Sequence, residues 1–273
     1  MFVCDGIGNM EAQTPPTSIH SSSSSTSSSS SSSSDFDTRR PLHRVRRKPA
    51  TYENQCPQFP ARKQYVALDC EMVGVGVNAT RSSLARVVIV DWRGKKLFDE
   101  FIAQTEPVTD YRTFVSGITE QDLQNAKMSL HTCRFMVSKI LLGKILVGHG
   151  LENDLRALGI ESPPWWTIRD TACYHPFMVS RNNMLLPRKL KDLVLEKLGK
   201  HIQEIGKPHN PYEDARWAIN LYKTVRSDWE GYVQYMIQRS VIENAISQGR
   251  FHGGFQMDCA SRHPNFILQQ SAY

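Results

Sequence analysis

The stretch "VALDCEMVG", Val66 to Gly74, decides how this chain folds and poses its central question. Val66, Ala67 and Leu68 read as the start of a buried strand, and Cys70, Met72 and Val73 continue it. Two acids, Asp69 and Glu71, interrupt that run. Side chains alternate along a strand, so the two carboxylates share one face. Burying ionised carboxylates is costly unless something pairs with them. Two of them side by side repel, and one takes up a proton unless a cation lies between them. Oxygen-only ligands of this kind suit Mg²⁺ or Mn²⁺. Taken alone, the pair also reads as a strand end pointing into solvent.

The pattern around this strand is that of an α/β domain. The composition changes at Tyr65, and "ARVVIVDW" (Ala85 to Trp92) reads as a second strand. Arg93, Gly94 and Lys95 make a tight turn into a third strand, "KLFDEFIA", completing an antiparallel meander. "TEQDLQNA" predicts a helix start, with Thr119 as its cap and Asp122 in its first turn. Leu130 to Leu142 has helical spacing. "KILVGHG" (Lys144 to Gly150) reads as a buried strand closed by glycine, followed by a helix at "LENDLRALGI" and a short strand at "WWTIRDTA". "LPRKLKDLVLEKLG" and "PYEDARWAINLYKTV" are amphipathic helices. Strands first, then strands alternating with helices, predict one mixed sheet flanked by helices. The boundaries fall at 1–62 for a tail, 63–227 for the domain and 228–273 for an appended helix and tail.

The flanks read differently. Residues 21 to 34 are all Ser except Thr26. Such a tract has no apolar surface to bury and is expected to be disordered. "RRPLHRVRRKP", Arg39 to Pro49, packs six Arg and Lys into eleven residues. It reads as a nuclear-import signal or a nucleic-acid-contacting arm, against the plainer reading of a solvated charged linker. The 273-residue chain carries a formal net charge of +6, which permits a polyanionic partner. The longest apolar stretches, such as Ile140 to Val147, contain Gly143 and Lys144 and are too short to span a bilayer, so no membrane partner is expected. The start, MFVCDGIGNMEAQ, lacks a basic segment followed by an apolar core, so no secretory signal is expected. Six scattered cysteines without CxxC spacing suggest neither a zinc site nor a disulfide framework.

Two further segments carry acids in telling places. "LVGHGLENDLRAL" puts Asp154 just after a buried strand and its glycine turn, near a helix start, where sheet-end sites are built. In "PHNPYEDARWA", His209 precedes Asp214 by five residues, so a loop imidazole and a helix acid can meet at one cleft. Singly, each acid also reads as a first-turn residue favoured by the helix dipole, and His209 as a surface loop histidine.

In order, these segments resemble the DEDDh family of 3′→5′ exonucleases, of ribonuclease-H-like fold. "ALDCEMVG" is similar to the first acidic motif, "LVGHGLENDLRAL" to the second, V-G-H-x-x-x-x-D, and "HNPYEDA" to the third, H-x-x-x-x-D-A. "VTDYRTFVSGIT" (Val108 to Thr119) resembles the segment between the first two. The form "CEMVG" is that of the RNA-exonuclease branch, with the interferon-stimulated and apoptosis-enhancing nucleases. The resemblance spans Tyr65 to Val225. In the third motif, Asn210, Pro211 and Tyr212 depart from the commoner H-S-S-V-E-D-A. Gly150 stands where a bulkier residue is common.

The resemblance implies a ribonuclease-H-like mixed sheet and a site for two Mg²⁺ ions, or Mn²⁺, held by Asp69, Glu71, Asp154 and Asp214. The ions would lie about 4 Å apart and flank the scissile phosphate. His209 would act as general base. The substrate would be single-stranded RNA, with DNA as the alternative, cleaved to nucleoside monophosphates. Met72, Val73, Arg112 and Ser116 are candidate substrate contacts, and Arg188 to Lys191 with Arg181 offers positive charge for a strand. A monomer in the nucleus, including the nucleolus, is expected, with the cytoplasm as alternative. Three rival readings are an inactive nucleic-acid-binding scaffold, a nucleotide phosphohydrolase, and an interaction protein built around the tail.

Overall fold

The computed structural model describes residues 59–248. They divide into a compact unit, 59–235, and the last turns of one long helix, 236–248. The unit is built on the mixed sheet expected from the sequence. Strands β1 (Tyr65–Val75), β2 (Arg81–Asp91), β3 (Lys96–Phe101), β4 (Val108–Asp110), β5 (Ile145–Gly148) and β6 (Ile168–Asp170) run in the order β3-β2-β1-β5-β6, with β4 added to the end of β1. The β1-β2-β3 meander is antiparallel, whereas β5 and β6 run parallel to β1 and to each other. The meander's turn closes on Asp91, whose Oδ1 accepts from the amides of Arg93 and Lys95 at 2.8 and 2.9 Å. Gly94 takes φ +82° in that turn, a conformation that suits glycine.

The parallel strands need crossovers, and helices supply them. Helices α1 (Thr113–Ser116), α2 (Glu120–Gln124) and α3 (Leu130–Leu141) lie between β4 and β5, and α4 (Leu151–Leu158) between β5 and β6. Cys133, Val137, Leu151, Leu155 and Leu158 from α3 and α4 meet Val66, Leu68, Val87, Ile89 and Phe98 of the sheet in the main core. Thr119 caps α2 in a reciprocal pair with Asp122, as its sequence signature predicts.

Two helices follow, α5 (Leu190–Leu198) and α6 (Pro211–Ser247). The boundary expected at 227 falls within α6, which continues through it as one helix. Trp229, Glu230 and Val233, assigned by sequence to an appendage, are buried. Arg169 of β6 grips Glu230 through two bonds, at 2.7 and 2.9 Å, and the Tyr222 hydroxyl donates to the same carboxylate at 2.6 Å. Tyr174 stacks on Trp229 at 4.2 Å between centroids. At the other boundary, Phe59 and Pro60 already dock on Arg226 of α6, so the unit starts before residue 63. The Ser-rich and basic segments lie outside the described residues.

Three further differences concern the periphery. β2 begins at Arg81, four residues earlier than its apolar run. Strand β4 adds three residues whose sequence gives no alternation. A hairpin of β7 (Val179–Arg181) and β8 (Met184–Leu186) turns through Asn182 and Asn183, both at positive φ, the pair of conformations that two-residue hairpin turns require.

Candidate active site

The site begins on β1. Asp69 is half-buried and Glu71 is buried, and a bulge falls between Glu71 and Met72. Bulges re-aim side chains and recur beside active sites. Past it, the Val73 side chain is fully buried with Ala85 and Ile118, and Met72 packs on the main core. Of the two, Met72 keeps part of its side chain exposed, whereas Val73 can offer a substrate its backbone alone.

Asp154 arrives from α4, where it is buried in the first turn. The start of that helix is held by Asp170 at the end of β6. Its carboxylate accepts from the amides of Gly150, Leu151 and Ala172 at 2.8 to 2.9 Å. Gly150 precedes the helix at φ +83°, and a Cβ there would meet nothing within 4 Å. Glycine at this position thus answers to backbone conformation, not to space. His149 pins the same corner: its Nδ1 lies 2.9 Å from Thr171 Oγ1 and its Nε2 2.9 Å from Arg188 O. The Cys70 backbone, between Asp69 and Glu71, lowers the Asp154 pKa and so opposes part of the rise that burial imposes on it.

Asp214 and His209 come from the entry to α6. The departure at residues 210–212 makes sense here. Asn210 caps the helix, its side chain accepting from the Tyr212 amide at 3.1 Å, and Pro211 occupies the first helical position. Tyr212 anchors the turn by donating to Gly94 O at 3.1 Å. Asp214 thereby sits buried one turn in. Glu71, His209 and Asp214 can each present an atom within 4.8 Å of the other two.

Electrostatics shows what this gathering costs. Burial, then the charges of Asp154, Asp214 and Glu71, push the Asp69 carboxyl well above its ordinary range. Burial and the charges of Asp214 and Asp154 push Glu71 up to about 8, with Arg86 opposing. Burial and Asp170 push Asp154 well up, and burial pushes Asp214 up to about 6. The Oδ1 of Asp214 is buried without a hydrogen-bond partner. Hard oxygen donors, mutual repulsion and an orphaned carboxylate oxygen together fit divalent cations of the Mg²⁺ class. His209 is different in kind. It is 39% exposed, and burial plus the charge of Lys191 lower its pKa, so the ring is neutral at physiological pH. Its Nδ1 lies 3.8 Å from Asp214 Oδ2, beyond hydrogen-bond reach.

The other candidates stand apart. Arg112 braces a loop through Ser82 Oγ at 2.9 Å and Ala79 O at 3.4 Å. Ser116 is buried, its hydroxyl donating to Tyr111 O and accepting from the Ile118 amide. No hydrogen bond or ion pair described for either side chain reaches the four acids. Of the basic stretch, Arg188 pairs with Glu196, and Lys191 is the member whose charge reaches His209. One neighbour carried no signal in the sequence. Gln203, in the loop before His209, donates to Asp214 Oδ2 at 2.9 Å.

The chain is similar to known proteins. The exonuclease (RNase_T) family model matches residues 66–222. The chain is 43% identical over 173 residues to RNA exonuclease 4 of Homo sapiens, covering 63% of this chain and 39% of that protein. It is 41% identical over 172 residues to the apoptosis-enhancing nuclease of Rattus norvegicus, covering 62% and 51%. It thus spans about two fifths to one half of these two relatives. Among solved structures, the pseudoubiquitin hydrolase-RNA exonuclease module of Saccharomyces cerevisiae Pan2 in complex with AAGGA RNA aligns with a TM-score of 0.52 and 28% identity, over 71% of this chain and 34% of that one. With a family match over more than half its length, on the sheet that gathers its acids, this chain belongs to the exonuclease family, in its DEDD group.

Proposed function

We propose that this protein is a divalent-metal-dependent 3′→5′ exonuclease that hydrolyses single-stranded RNA, and DNA more slowly, to nucleoside monophosphates. The carrying observation is the convergence of Glu71, Asp214 and His209, with Asp154 close enough to Asp69 to raise its pKa. Asp69, Glu71, Asp154 and Asp214 would hold two cations, Mg²⁺ or Mn²⁺. Bound there, the cations would neutralise the phosphate and acidify a water. Mg²⁺ prefers oxygen ligands, which leaves the neutral imidazole of His209 for proton work: it takes the proton of the attacking water. The preference for RNA rests on the names of the relatives and on the RNA-bound Pan2 module.

Strand binding has its own support. Phe114 is 77% exposed and Val115 beside it 53%, both on α1. The Val115 carbonyl accepts from the His209 amide at 2.8 Å, so this apolar turn is tied to the loop of the proposed base. Bases stack on exposed aromatic faces regardless of sequence. Lys191 adds a cation near the same imidazole.

The test is digestion of 3′- and 5′-labelled single strands of RNA and matched DNA. Wild type with Mg²⁺ is expected to shorten them from the 3′ end and release mononucleotides. EDTA, Asp69→Asn and His209→Ala are each expected to remove at least a hundredfold of the rate. Undiminished turnover in EDTA, or hydrolysis of free nucleotides with intact polymers, overturns the reading.

A further inference from the structure

We propose that Gln203 is a positioning residue: its side-chain amide holds Asp214 so that one carboxylate oxygen stays aimed at the metal site and the other stays off His209. The proposal rests on the metal-dependent reading above and adds a residue to it. Three observations carry it. Gln203 Nε2 donates to Asp214 Oδ2 at 2.9 Å, the one hydrogen bond described for that carboxylate. The other oxygen, Oδ1, is buried and unpartnered. And Gln203 sits at φ +50°, in the left-handed region. Glycine or asparagine is the residue such a position favours. A strained, long-chain amide persists there only if its neighbours hold it. Ile202, the residue before it, is buried and anchors the loop, which turns Gln203 inward.

The geometry also says what goes wrong without the amide. His209 Nδ1 is already 3.8 Å from Oδ2. With no donor on Oδ2, a small rotation of the carboxylate brings it onto the imidazole. That single contact would turn Asp214 from the cation and occupy the ring nitrogen of His209. The Gln203 bond keeps the two groups close but separate.

Gln203→Ala removes the amide and keeps the strain, whereas Gln203→Gly removes both. Full-length wild type and both variants are melted across a Mg²⁺ titration, and 3′-labelled oligonucleotide turnover is followed across the same series. In both variants the Mg²⁺ midpoint of the melting-temperature rise is expected about tenfold higher, with kcat at saturating Mg²⁺ within a few-fold of wild type. Gln203→Gly without metal is expected to melt no lower than Gln203→Ala. If both variants keep the wild-type Mg²⁺ midpoint, whatever their metal-free stability, Gln203 merely shapes the loop and the proposal falls. If wild type itself gains neither stability nor turnover from Mg²⁺, the metal-nuclease reading falls first and takes this one with it.

Discussion

Glu71 lies on β1 across from Arg86, yet burial and the acids around it outweigh that cation and raise its carboxyl to about 8. The metal-free fold therefore binds protons more tightly than the unfolded chain does at these acids. A raised carboxyl contributes stability that is complete below its unfolded pKa and fades as pH rises through the folded one. Asp214, raised to about 6, adds to the loss at lower pH. His209 and His149 run the other way, because their pKa values are lowered, but their contribution is complete by about pH 7.5, a unit above the unfolded value. Between about pH 7.5 and 8.5 the raised acids set the slope. Without metal, the melting temperature is expected to fall across that window, and saturating Mg²⁺ to restore it. Glu71→Gln should flatten the slope and raise metal-free stability at pH 8, while lowering turnover at least a hundredfold. A steeper metal-free decline in Glu71→Gln would contradict this account. Because cations bind deprotonated carboxylates, Mg²⁺ binding should also release protons, measurable by calorimetry in buffers of different ionisation enthalpy.

At the scale of elements, α1 and α6 meet beside His209 although they lie far apart in the sequence. α1 is one turn long, and its solvent face presents Phe114. A side chain so exposed contributes little to folding, so its truncation isolates binding. Phe114→Ala is expected to raise KM for a single-stranded oligonucleotide about tenfold, from the ~1–3 kcal/mol of one base stack, and to spare kcat. Phe114→Trp should preserve the wild-type KM and Phe114→Leu should not. Equal behaviour of Trp and Leu variants would exclude stacking. α6 instead carries structure into the site. Glu230 and Arg169 are both buried, and removing one partner leaves the other charge without compensation. Glu230→Ala is expected to cost about 3–5 kcal/mol, a drop of about 10 °C in a thermal melt. A change under 1 kcal/mol would mean that α6 is held by its apolar contacts alone.

The same two helices show what the sequence could and could not disclose. The sheet was legible because β1, β2 and β5 are apolar runs bounded by Gly and turn residues. Asp69 and Glu71 stood out because carboxylates are out of place in such a run, whereas Asp154 and Asp214, first-turn acids that a helix favours, became telling only through the order of the motifs. The continuity of α6 was hidden because Glu230 breaks its apolar stripe, and its partner Arg169 lies 61 residues away. Gln203 was invisible for a related reason: its meaning is a backbone angle and one bond to a distant residue, and neither leaves a pattern. The Asn182-Asn183 turn was readable in principle, since paired asparagines tolerate positive φ, but strands of three residues are too short to show alternation.

For the whole molecule, the open matter is what the segment before Phe59 adds to the unit that follows. The described unit holds every residue given a chemical role, so chemistry should not need residues 1–58. Arg39 to Pro49 concentrates six of the chain's 33 Lys and Arg, and we propose that it directs the protein to the nucleus. The rival role, an arm on the substrate strand, differs in salt dependence. Each phosphate contact adds about −0.7 to the slope of log affinity against log salt on a single strand, so an arm would steepen that slope for long substrates only. Deleting residues 1–58 is expected to leave kcat and KM unchanged on an octanucleotide, and to leave the salt slope unchanged on a 40-mer. In cells, the deletion should disperse a fluorescent fusion that the full chain confines to the nucleus. Loss of turnover on the octanucleotide would place the tail within the catalytic unit. A shallower salt slope on the 40-mer with unaltered location would make the cluster an arm, and an unchanged nuclear signal with unchanged kinetics would leave it a solvated linker.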